Sequence, residues 1–169
     1  MSDEDRTRWN ERYAAGAYGA RVNPCALLET MLADWAPDQS QALAQTSTPG
    51  GAEVPGLGRA LDLACGAGRN AVYLASKGFA VDALDISAQA LARGARRAEE
   101  ARVHVNWEEQ DLDEPLPATL SSGQRLGPYA LIVVVRYADL ELVKRLPALL
   151  QPGGRLLVEA HLGGPLFTD

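Results

Sequence analysis

The stretch Arg59-Ala-Leu-Asp-Leu-Ala-Cys-Gly-Ala-Gly-Arg-Asn70 decides the predicted fold. Its apolar run ends at Cys65 and leads into a glycine turn, Gly66-Ala-Gly68, after which Asn70–Gly78 has the pattern of a helix ended by glycine. We therefore predict a strand, a tight turn and a helix. Glycines let the backbone turn sharply and let a ligand approach closely, and the first amides of the helix point into the same crevice. A nucleotide-like ligand fits such a crevice.

Two acidic residues narrow the class of that ligand. A second apolar run, Phe79–Leu84, ends on Asp85, and a carboxylate at the tip of a second strand accepts hydrogen bonds from both ribose hydroxyls. Gly66-x-Gly68-x-x-Ala71 also satisfies the loose dinucleotide pattern, so the glycines alone leave a nicotinamide dinucleotide and S-adenosylmethionine open. Asp62, inside the first strand, would repel a pyrophosphate but suits the ammonium of a methionine group. The carboxylates favour S-adenosylmethionine, although Arg69 suits a carboxylate or a phosphate.

Composition indicates one soluble globular domain that acts on a small molecule. The chain has 169 residues, of which 47% are hydrophobic, so it has room for a sizeable core. Its net charge of −6 argues against broad nucleic-acid binding, which needs a basic face. The highly charged start has no apolar region behind it, and no stretch is long enough to span a bilayer. We expect no membrane partner and a cytoplasmic protein.

Cysteine and histidine are too sparse for a disulfide framework or a metal site. The chain has Cys25, Cys65, His104 and His161, and their spacing is not that of a zinc site. We expect free thiols and no metal. Cys65, where the first strand meets the glycine turn, is predicted to be a small packing residue rather than a nucleophile.

Apolar patterns predict an α/β fold in one domain. N-terminal helices occupy residues 1–36, a polar stretch at 37–58 is predicted to be a flexible linker, a core spans 59–162, and 163–169 form a tail. The core is predicted to be a Rossmann-like, doubly wound, mostly parallel sheet with the strand order 3-2-1-4-5. The five predicted strands cover residues 60–64, 79–84, 103–110, 129–135 and 156–160.

For several side chains outside the turn, the sequence leaves two roles open. Trp9 and Tyr13, four residues apart, either pack the first helix onto the core or line the ligand pocket. Arg136 and Tyr137 follow the fourth strand at the sheet edge that holds ligands, where Arg136 either orients an anionic substrate or pairs with a carboxylate. In the helix that opens at Ser87, glutamates accompany the arginines at positions 93, 96 and 97. We therefore expect a solvated face rather than an RNA contact.

The chain resembles a class I S-adenosylmethionine-dependent methyltransferase. Three features carry this likeness: Leu61-Asp-x-Ala-Cys-Gly-x-Gly-Arg-Asn70, the strand end at Asp85, and Pro152-Gly-Gly154 before a late strand. Arg-Asn after the glycines, Trp9-Asn-Glu-Arg-Tyr13 and Asn23-Pro24 are similar to the small branch that includes tellurite-resistance methyltransferases. The resemblance implies N-terminal helices that fold over the cofactor and an acceptor that is a small oxyanion, a thiol or another small metabolite.

In the family that the chain resembles, an acidic residue just beyond the third strand contacts the adenine amino group. The residue at this position here is Asp111. Its alternative role is that of an ordinary turn residue that caps the segment after it. On the substrate side we expect Trp9, Tyr13, Arg136 and Tyr137. Methyl transfer depends mainly on positioning, so no catalytic base is required and none is assigned. The residues predicted to bind the cofactor are Asp62, Ala64, Cys65, Gly66, Gly68, Asn70, Asp85, Ile86, Asp111 and Leu112.

The short C-terminal part departs from the family pattern. Class I methyltransferases usually continue with a helix and two more strands, whereas only His161–Asp169 remain here. The fifth strand is then an edge, which we expect to be covered by a homodimer partner, another chain or the tail, unless the chain is a truncated and weakly stable version. The first alternative function is a catalytically inactive cofactor-binding module. The second is an NAD-dependent oxidoreductase, which Asp62 and the absence of a recognisable group for hydride transfer disfavour.

Overall fold

A computed structural model describes residues 3–35, 56–137 and 139–160. Most of the predicted linker 37–58 and all of the predicted tail 163–169 lie outside these residues. Two N-terminal helices precede a region in which strands and helices alternate, except that β4 follows β3 without a helix between them. In chain order the elements are α1 (Asp3–Ala14), α2 (Ala26–Ala33), β1 (Arg59–Leu63), α3 (Arg69–Ser76), β2 (Ala80–Asp85), α4 (Ala88–Glu100), β3 (Val105–Glu109), β4 (Tyr129–Val135), α5 (Leu140–Arg145), a 3₁₀ helix (Leu146–Leu149) and β5 (Leu150–Glu159).

The five strands form one parallel sheet in the order β3-β2-β1-β4-β5, which confirms the predicted topology. The central strand, β1, pairs with β2 and β4, and Asp62 lies opposite Ala83 on one side and Val133 on the other. The order reverses between β1 and β4. In open α/β sheets a ligand crevice forms at this switch point, beyond the carboxyl ends of the strands.

Hydrophobic side chains cover both faces of the sheet. Every residue of β4 is buried, as expected for a parallel strand between two layers of helices. Val133 belongs to the core cluster that includes residues of α2, α3 and α4, whereas Ile132 and Val134 belong to the cluster that includes Leu142 of α5. Neighbouring residues of β4 thus belong to core clusters that contain different helices. Helices therefore cover both faces of the sheet, which is doubly wound as predicted.

The last strand begins earlier than the sequence indicates. Pro152-Gly-Gly154 is predicted to be a turn before a strand at 156–160, but β5 already pairs with β4 at Leu150. The register shifts between the pairs Tyr129–Leu150 and Leu131–Arg155, so the proline-glycine segment forms an irregularity within the strand. The local turn signal is correct, but pairing with β4 continues on both sides of it.

Helix α1 is attached to the rest of the molecule by an ion pair between Arg6 and Glu109 of β3 at 2.7 Å and by polar contacts at α4. The Asn10 side-chain oxygen accepts hydrogen bonds from the Ser87 hydroxyl at 2.8 Å and from the Gln89 amide at 3.3 Å. The Arg93 guanidinium donates to the carbonyl oxygens of Tyr13 and Ala17 at 3.1 and 2.9 Å. Because α1 contains no fully buried residue, these polar contacts hold it over the carboxyl end of the sheet. None of the described helices is long and apolar enough to cross a membrane.

Candidate functional site

The glycine turn redirects the chain from β1 into α3. Ala64, Gly66 and Gly68 all have left-handed backbone conformations, with φ angles of 52°, 55° and 70°. The Cys65 amide donates to the Leu84 carbonyl at 3.1 Å, which ties the turn to the end of β2, and the Gly68 amide donates back to Cys65 at 3.0 Å. The turn is thereby fixed in shape, and its backbone faces the crevice at the switch point.

A cleft of about 350 Å³ lies over this turn, within the size range of small-molecule sites. It is bounded by the carboxyl ends of the central strands, by α1 and by the segment after α1. The sequence-predicted residues that line it are Trp9, Tyr13, Ala64, Cys65, Gly66, Asn70, Asp85, Ile86, Leu112, Arg136 and Tyr137. The lining residues that were not among the predicted site residues are Tyr18, Arg21, Ala67, Arg69, Arg97 and Val135.

Asp85 is the acidic residue of the cleft wall. Its Oδ2 atom accepts a hydrogen bond from the Gly66 amide at 2.8 Å, and its Oδ1 atom accepts one from the Ser87 amide at 2.9 Å. Burial raises the pKa of the Asp85 carboxyl, and the backbone amides around it offset part of that rise. A carboxylate has about four acceptor positions, so Asp85 can hold the turn and still accept hydrogen bonds from a ligand.

Asp62 lies beneath the cleft rather than on its wall. Only 1% of the residue is exposed, and its Oδ2 atom has no hydrogen-bond partner among the described residues. Burial, and to a lesser degree the nearby charge of Asp85, raise the pKa of Asp62 to about 8, although a hydrogen bond from the Ala71 amide acts in the opposite direction. A buried carboxylate without a full set of partners is costly, so a positive group nearby would stabilise its charged form.

Two further predicted site residues do not line the cleft. A Cβ atom on Gly68 would overlap the Trp107 ring, and the same ring fills the space beside Gly94 of α4. Gly68 therefore makes room for a packed tryptophan. Asp111 accepts a hydrogen bond from the Asp113 amide at 3.0 Å, a turn-type contact that leaves its predicted adenine contact untested.

Three aromatic rings form the outer wall of the cleft. The ring centroids of Trp9 and Tyr13 are 6.3 Å apart, those of Trp9 and Tyr18 are 6.4 Å apart, and those of the two tyrosines are 5.7 Å apart. The Tyr13 hydroxyl lies where a side chain on Gly66 would be. Burial, and then the charge of Asp85, raise the pKa of the Tyr13 phenol, so the hydroxyl stays protonated. Trp9 and Tyr13 are thus pocket-lining residues as well as packing residues.

Two arginines near the glycine turn are fixed by backbone carbonyls. An Nη1 atom of Arg69 donates to Asn23 at 3.1 Å, and one of Arg97 donates to Ala67 at 2.8 Å. Burial lowers the pKa of Arg97, and the charge of Arg93 adds to the effect. The prediction of a solvated arginine face on α4 is therefore wrong for residues 93 and 97, which are partly buried, and correct for Arg96, which is exposed.

Arg136 and Tyr137 follow β4 at the same edge. Arg136 has a φ of 66°, which is uncommon for a residue with a side chain, and its amide donates to the Glu159 carbonyl at 2.6 Å. The Tyr137 hydroxyl donates to the Asp113 carboxylate at 2.9 Å. Burial, followed by that hydrogen bond, raises the pKa of Tyr137. Both residues line the cleft.

The site has no obvious nucleophile or metal centre. Burial raises the pKa of the Cys65 thiol, and the charges of Asp85 and Asp62 add to this rise, so the thiol stays protonated and is a poor nucleophile. Within residues 3–35, 56–137 and 139–160, no group of three histidine, cysteine, aspartate or glutamate residues is arranged to hold a metal ion. The arrangement instead suits binding and orientation of a small ligand.

Comparisons with known proteins support a family assignment. A family described as methyltransferase domain matches residues 60–154, which is more than half of the chain. No curated protein matches the chain. Among solved structures, the DhpI-SAM-HEP complex is 20% identical, with a TM-score of 0.55 over 93% of this chain and 64% of that chain.

Other solved structures are similar over smaller parts of the chain. TehB from Haemophilus influenzae is 22% identical, with a TM-score of 0.48 over 59% of this chain and 35% of that one. An S-adenosylmethionine-dependent methyltransferase from Clostridium acetobutylicum is 20% identical, with a TM-score of 0.49, and the match covers 60% and 42% of the two chains. The chain thus spans less than two thirds of the length of each of these structures. At these identities the likeness concerns the fold.

Proposed function

Because the chain belongs to the methyltransferase domain family, we propose that it transfers a methyl group from S-adenosylmethionine to a small-molecule acceptor. The observation that carries this proposal is the position of Asp85, at the carboxyl end of β2, hydrogen-bonded to the Gly66 amide of the turn and facing the cleft. A carboxylate in this place is suited to accept hydrogen bonds from ribose hydroxyls.

The residues present fit the other parts of S-adenosylmethionine. Ile86 and Leu112 supply apolar surface beside Asp85, which suits an adenine ring. Arg69 and Arg97 flank the glycine turn, where a guanidinium can pair with the carboxylate of the methionine group. The unpartnered Oδ2 atom of Asp62 marks a buried site at which a positive charge is favourable.

A nicotinamide dinucleotide is the weaker candidate. Its pyrophosphate would lie over the turn beside the Asp85 carboxylate, whose negative charge opposes it, whereas Asp62, with a pKa of about 8, is largely protonated at neutral pH in the free chain. Arg69 and Arg97 would attract a pyrophosphate as well as a carboxylate, so the matched family, a methyltransferase domain, is what favours S-adenosylmethionine over the dinucleotide. The oxidoreductase alternative is therefore weaker.

The protein's own contribution to the reaction is binding, orientation and exclusion of water. S-adenosylmethionine held by Asp85 and the glycine turn would supply a methyl group on a cationic sulfur for transfer to a nucleophilic atom of the acceptor. Trp9, Tyr13 and Tyr18 cover the turn and limit access of solvent to it. Positioning of this kind can supply much of the acceleration of a displacement reaction.

The finer parts of the proposal rest on the sequence. The similarity to the tellurite-resistance branch rests on Trp9-Asn-Glu-Arg-Tyr13 and the Arg-Asn pair, and a small acceptor is supported by the modest volume of a cleft covered by α1. A single domain, a cytoplasmic location and a homodimer or other partner over the β5 edge remain predictions of the sequence. A catalytically inactive cofactor-binding module remains the alternative to an enzyme.

Calorimetric titration with S-adenosylmethionine, S-adenosylhomocysteine and NAD tests the cofactor class. We expect both adenosyl compounds to bind and NAD to bind at least tenfold more weakly. Asp85→Ala should weaken S-adenosylhomocysteine by about 1.5 to 3 kcal/mol, the range for hydrogen bonds to a charged group. Tighter binding of NAD contradicts the proposal. Adenosyl binding without methyl transfer to any member of a broad panel of small acceptors favours the inactive module.

A further inference from the structure

The cleft carries an excess of positive charge. Its described lining contains four arginines, at positions 21, 69, 97 and 136, and one aspartate, Asp85, in a chain whose net charge is −6. None of the four guanidiniums forms an ion pair with another described residue. Gathering like charges in one concave site opposes folding, so their concentration here indicates an anionic ligand.

The proposed cofactor does not neutralise this excess. S-adenosylmethionine has one carboxylate, one ammonium and one sulfonium, so its net charge is positive. Its carboxylate can pair with Arg69 or Arg97 beside the turn, but the complex as a whole gains positive charge. The second ligand of the site, which on the proposed function is the methyl acceptor, can supply the negative charge that the cofactor does not.

Arg21 and Arg136 are the arginines available to that second ligand. Both are exposed residues, and within the described part of the chain neither side chain has a hydrogen-bond partner, whereas Arg69 and Arg97 are already fixed to carbonyl oxygens. Arg136 also has a left-handed φ of 66° at the carboxyl end of β4, with its amide fixed to Glu159. Such backbone strain in a residue with a side chain is often retained where it orients a functional group.

Aromatic surface adjoins these charges. The Arg21 guanidinium stacks over the Tyr18 ring, with 4.8 Å between the guanidinium carbon and the ring centroid, and Trp9 lies beside Tyr18 in the same wall. A flat apolar molecule can pack against these rings while its acidic group reaches a guanidinium. Neither a bare inorganic anion nor a neutral apolar molecule uses both features.

From these observations, and on the premise of the proposed function, we infer that the methyl acceptor is a small aromatic acid. Arg136 and Arg21 bind its anionic group, and Trp9 and Tyr18 contact its ring. Arg21 and Tyr18 thereby become determinants of specificity for the acceptor.

The test is calorimetry on the full chain saturated with S-adenosylhomocysteine, at constant ionic strength. Benzoate has a ring and a charge, benzamide has the ring alone, and acetate has the charge alone. We expect benzoate to bind at least tenfold more tightly than benzamide and than acetate. Arg136→Gln and Arg21→Gln should each weaken benzoate at least fivefold while changing the affinity for S-adenosylhomocysteine less than twofold, and Arg136→Lys should retain more of the affinity than Arg136→Gln.

Arg96→Gln is the matched control, because Arg96 is exposed on the same helix as Arg97 and does not line the cleft. It should change benzoate binding less than twofold. If S-adenosylhomocysteine binds but benzoate is no tighter than benzamide or acetate, or is unaffected by both glutamine variants, the inference is overturned and the methyl-transfer proposal stands. If S-adenosylhomocysteine itself does not bind, the proposed function fails first.

Discussion

The hydroxyl of Tyr13 lies against Gly66, in the space that a side chain on this glycine would take. This relationship joins the two parts of the site, because Tyr13 belongs to α1 and Gly66 to the turn after β1. The glycine is therefore required by a protein group as well as by the shape of the turn. It also explains how α1, which has no fully buried residue, is seated over the cleft.

Gly66→Ala should destabilise the chain by more than the cost of its backbone conformation. A left-handed alanine costs about 1 to 2 kcal/mol, and the new Cβ atom would also overlap the Tyr13 hydroxyl. Gly123→Ala is the control, because Gly123 has a φ of 81° but no atom within 4 Å of a Cβ atom. Urea unfolding should show a larger loss at position 66 than at position 123, with the difference reduced in a Tyr13→Phe background. Equal losses of stability at the two positions, with Tyr13 or with phenylalanine in its place, would show that the Tyr13 contact does not affect the free energy of unfolding.

Gly94→Ala should be destabilising even though alanine is the better helix former. In an open helix the change gains about 1 kcal/mol, but at this position the Cβ atom would lie 2.6 Å from the Trp107 ring. We expect a net loss of about 1 to 3 kcal/mol, as for other overpacked cores. In a Trp107→Leu background the same substitution should be neutral or stabilising. A gain in stability with Trp107 present would mean that the ring moves freely.

Asp62→Asn should stabilise the free chain and weaken cofactor binding. The pKa of Asp62 rises from 3.8 to about 8 on folding, so the stability that its bound proton provides is fully present below pH 4 and is lost as the pH rises through 8. The asparagine variant has no such loss. Its advantage in free energy of unfolding should grow by on the order of 4 kcal/mol from pH 5 to pH 9, because the wild-type chain loses stability from pH 5 up to the pKa of about 8, at about 1.4 kcal/mol for each pH unit.

Urea unfolding of the wild-type chain and the Asp62→Asn variant at both pH values measures this difference. Calorimetry at pH 7 should show weaker S-adenosylmethionine binding in the variant, because wild-type Asp62 can release its proton and form a carboxylate beside the bound cation, whereas asparagine cannot. A constant difference in stability between pH 5 and pH 9 would contradict the raised pKa. Unchanged affinity would remove Asp62 from the cofactor site.

Asp82→Ala should lower the free energy of unfolding without changing the affinity for S-adenosylhomocysteine. The Asp82 carboxylate accepts hydrogen bonds from Arg59 at 2.7 Å, from Tyr129 at 2.8 Å and from Asn106 at 2.9 Å, and the residue is 3% exposed. Removing it leaves the charge of Arg59, whose side chain is 14% exposed, without its carboxylate partner. Breaking a buried ion pair typically costs about 3 to 5 kcal/mol, and we expect a loss near the lower end of that range. This network lies on β2 before the strand reaches the cleft. S-adenosylhomocysteine affinity of the folded variant should stay within twofold of wild type, and a larger loss would show coupling between the two ends of the sheet.

The fold was predictable because its signals are local and mutually consistent. The uninterrupted apolar run of β4 indicates a strand covered on both faces, and Ser87 and Asp139 cap the helices that follow them. The strand order then follows from the general rules for parallel sheets. The early start of β5 was not predictable, because Pro152-Gly-Gly154 signals a turn and only pairing with β4 draws it into the strand.

The candidate site was predictable where chemistry follows from position along the chain, as for Gly66 and Asp85. It was not predictable where contacts join distant elements. Nothing near Gly68 in the sequence indicates that Trp107 packs on it, and Arg97 resembles its exposed neighbours until α4 is placed against the turn. Tyr18 and its neighbour Arg21 lie in a segment without periodicity, although the series Trp9, Tyr13, Tyr18 was a visible signal of an aromatic wall.

The most direct test of the central claim is a crystal structure of the full chain with S-adenosylhomocysteine. We expect density for the adenosine group in the cleft, with the ribose hydroxyls hydrogen-bonded to the Asp85 carboxylate and the amino-acid group over the glycine turn. Density for the ligand at another site, or a ribose without contact to Asp85, would contradict it.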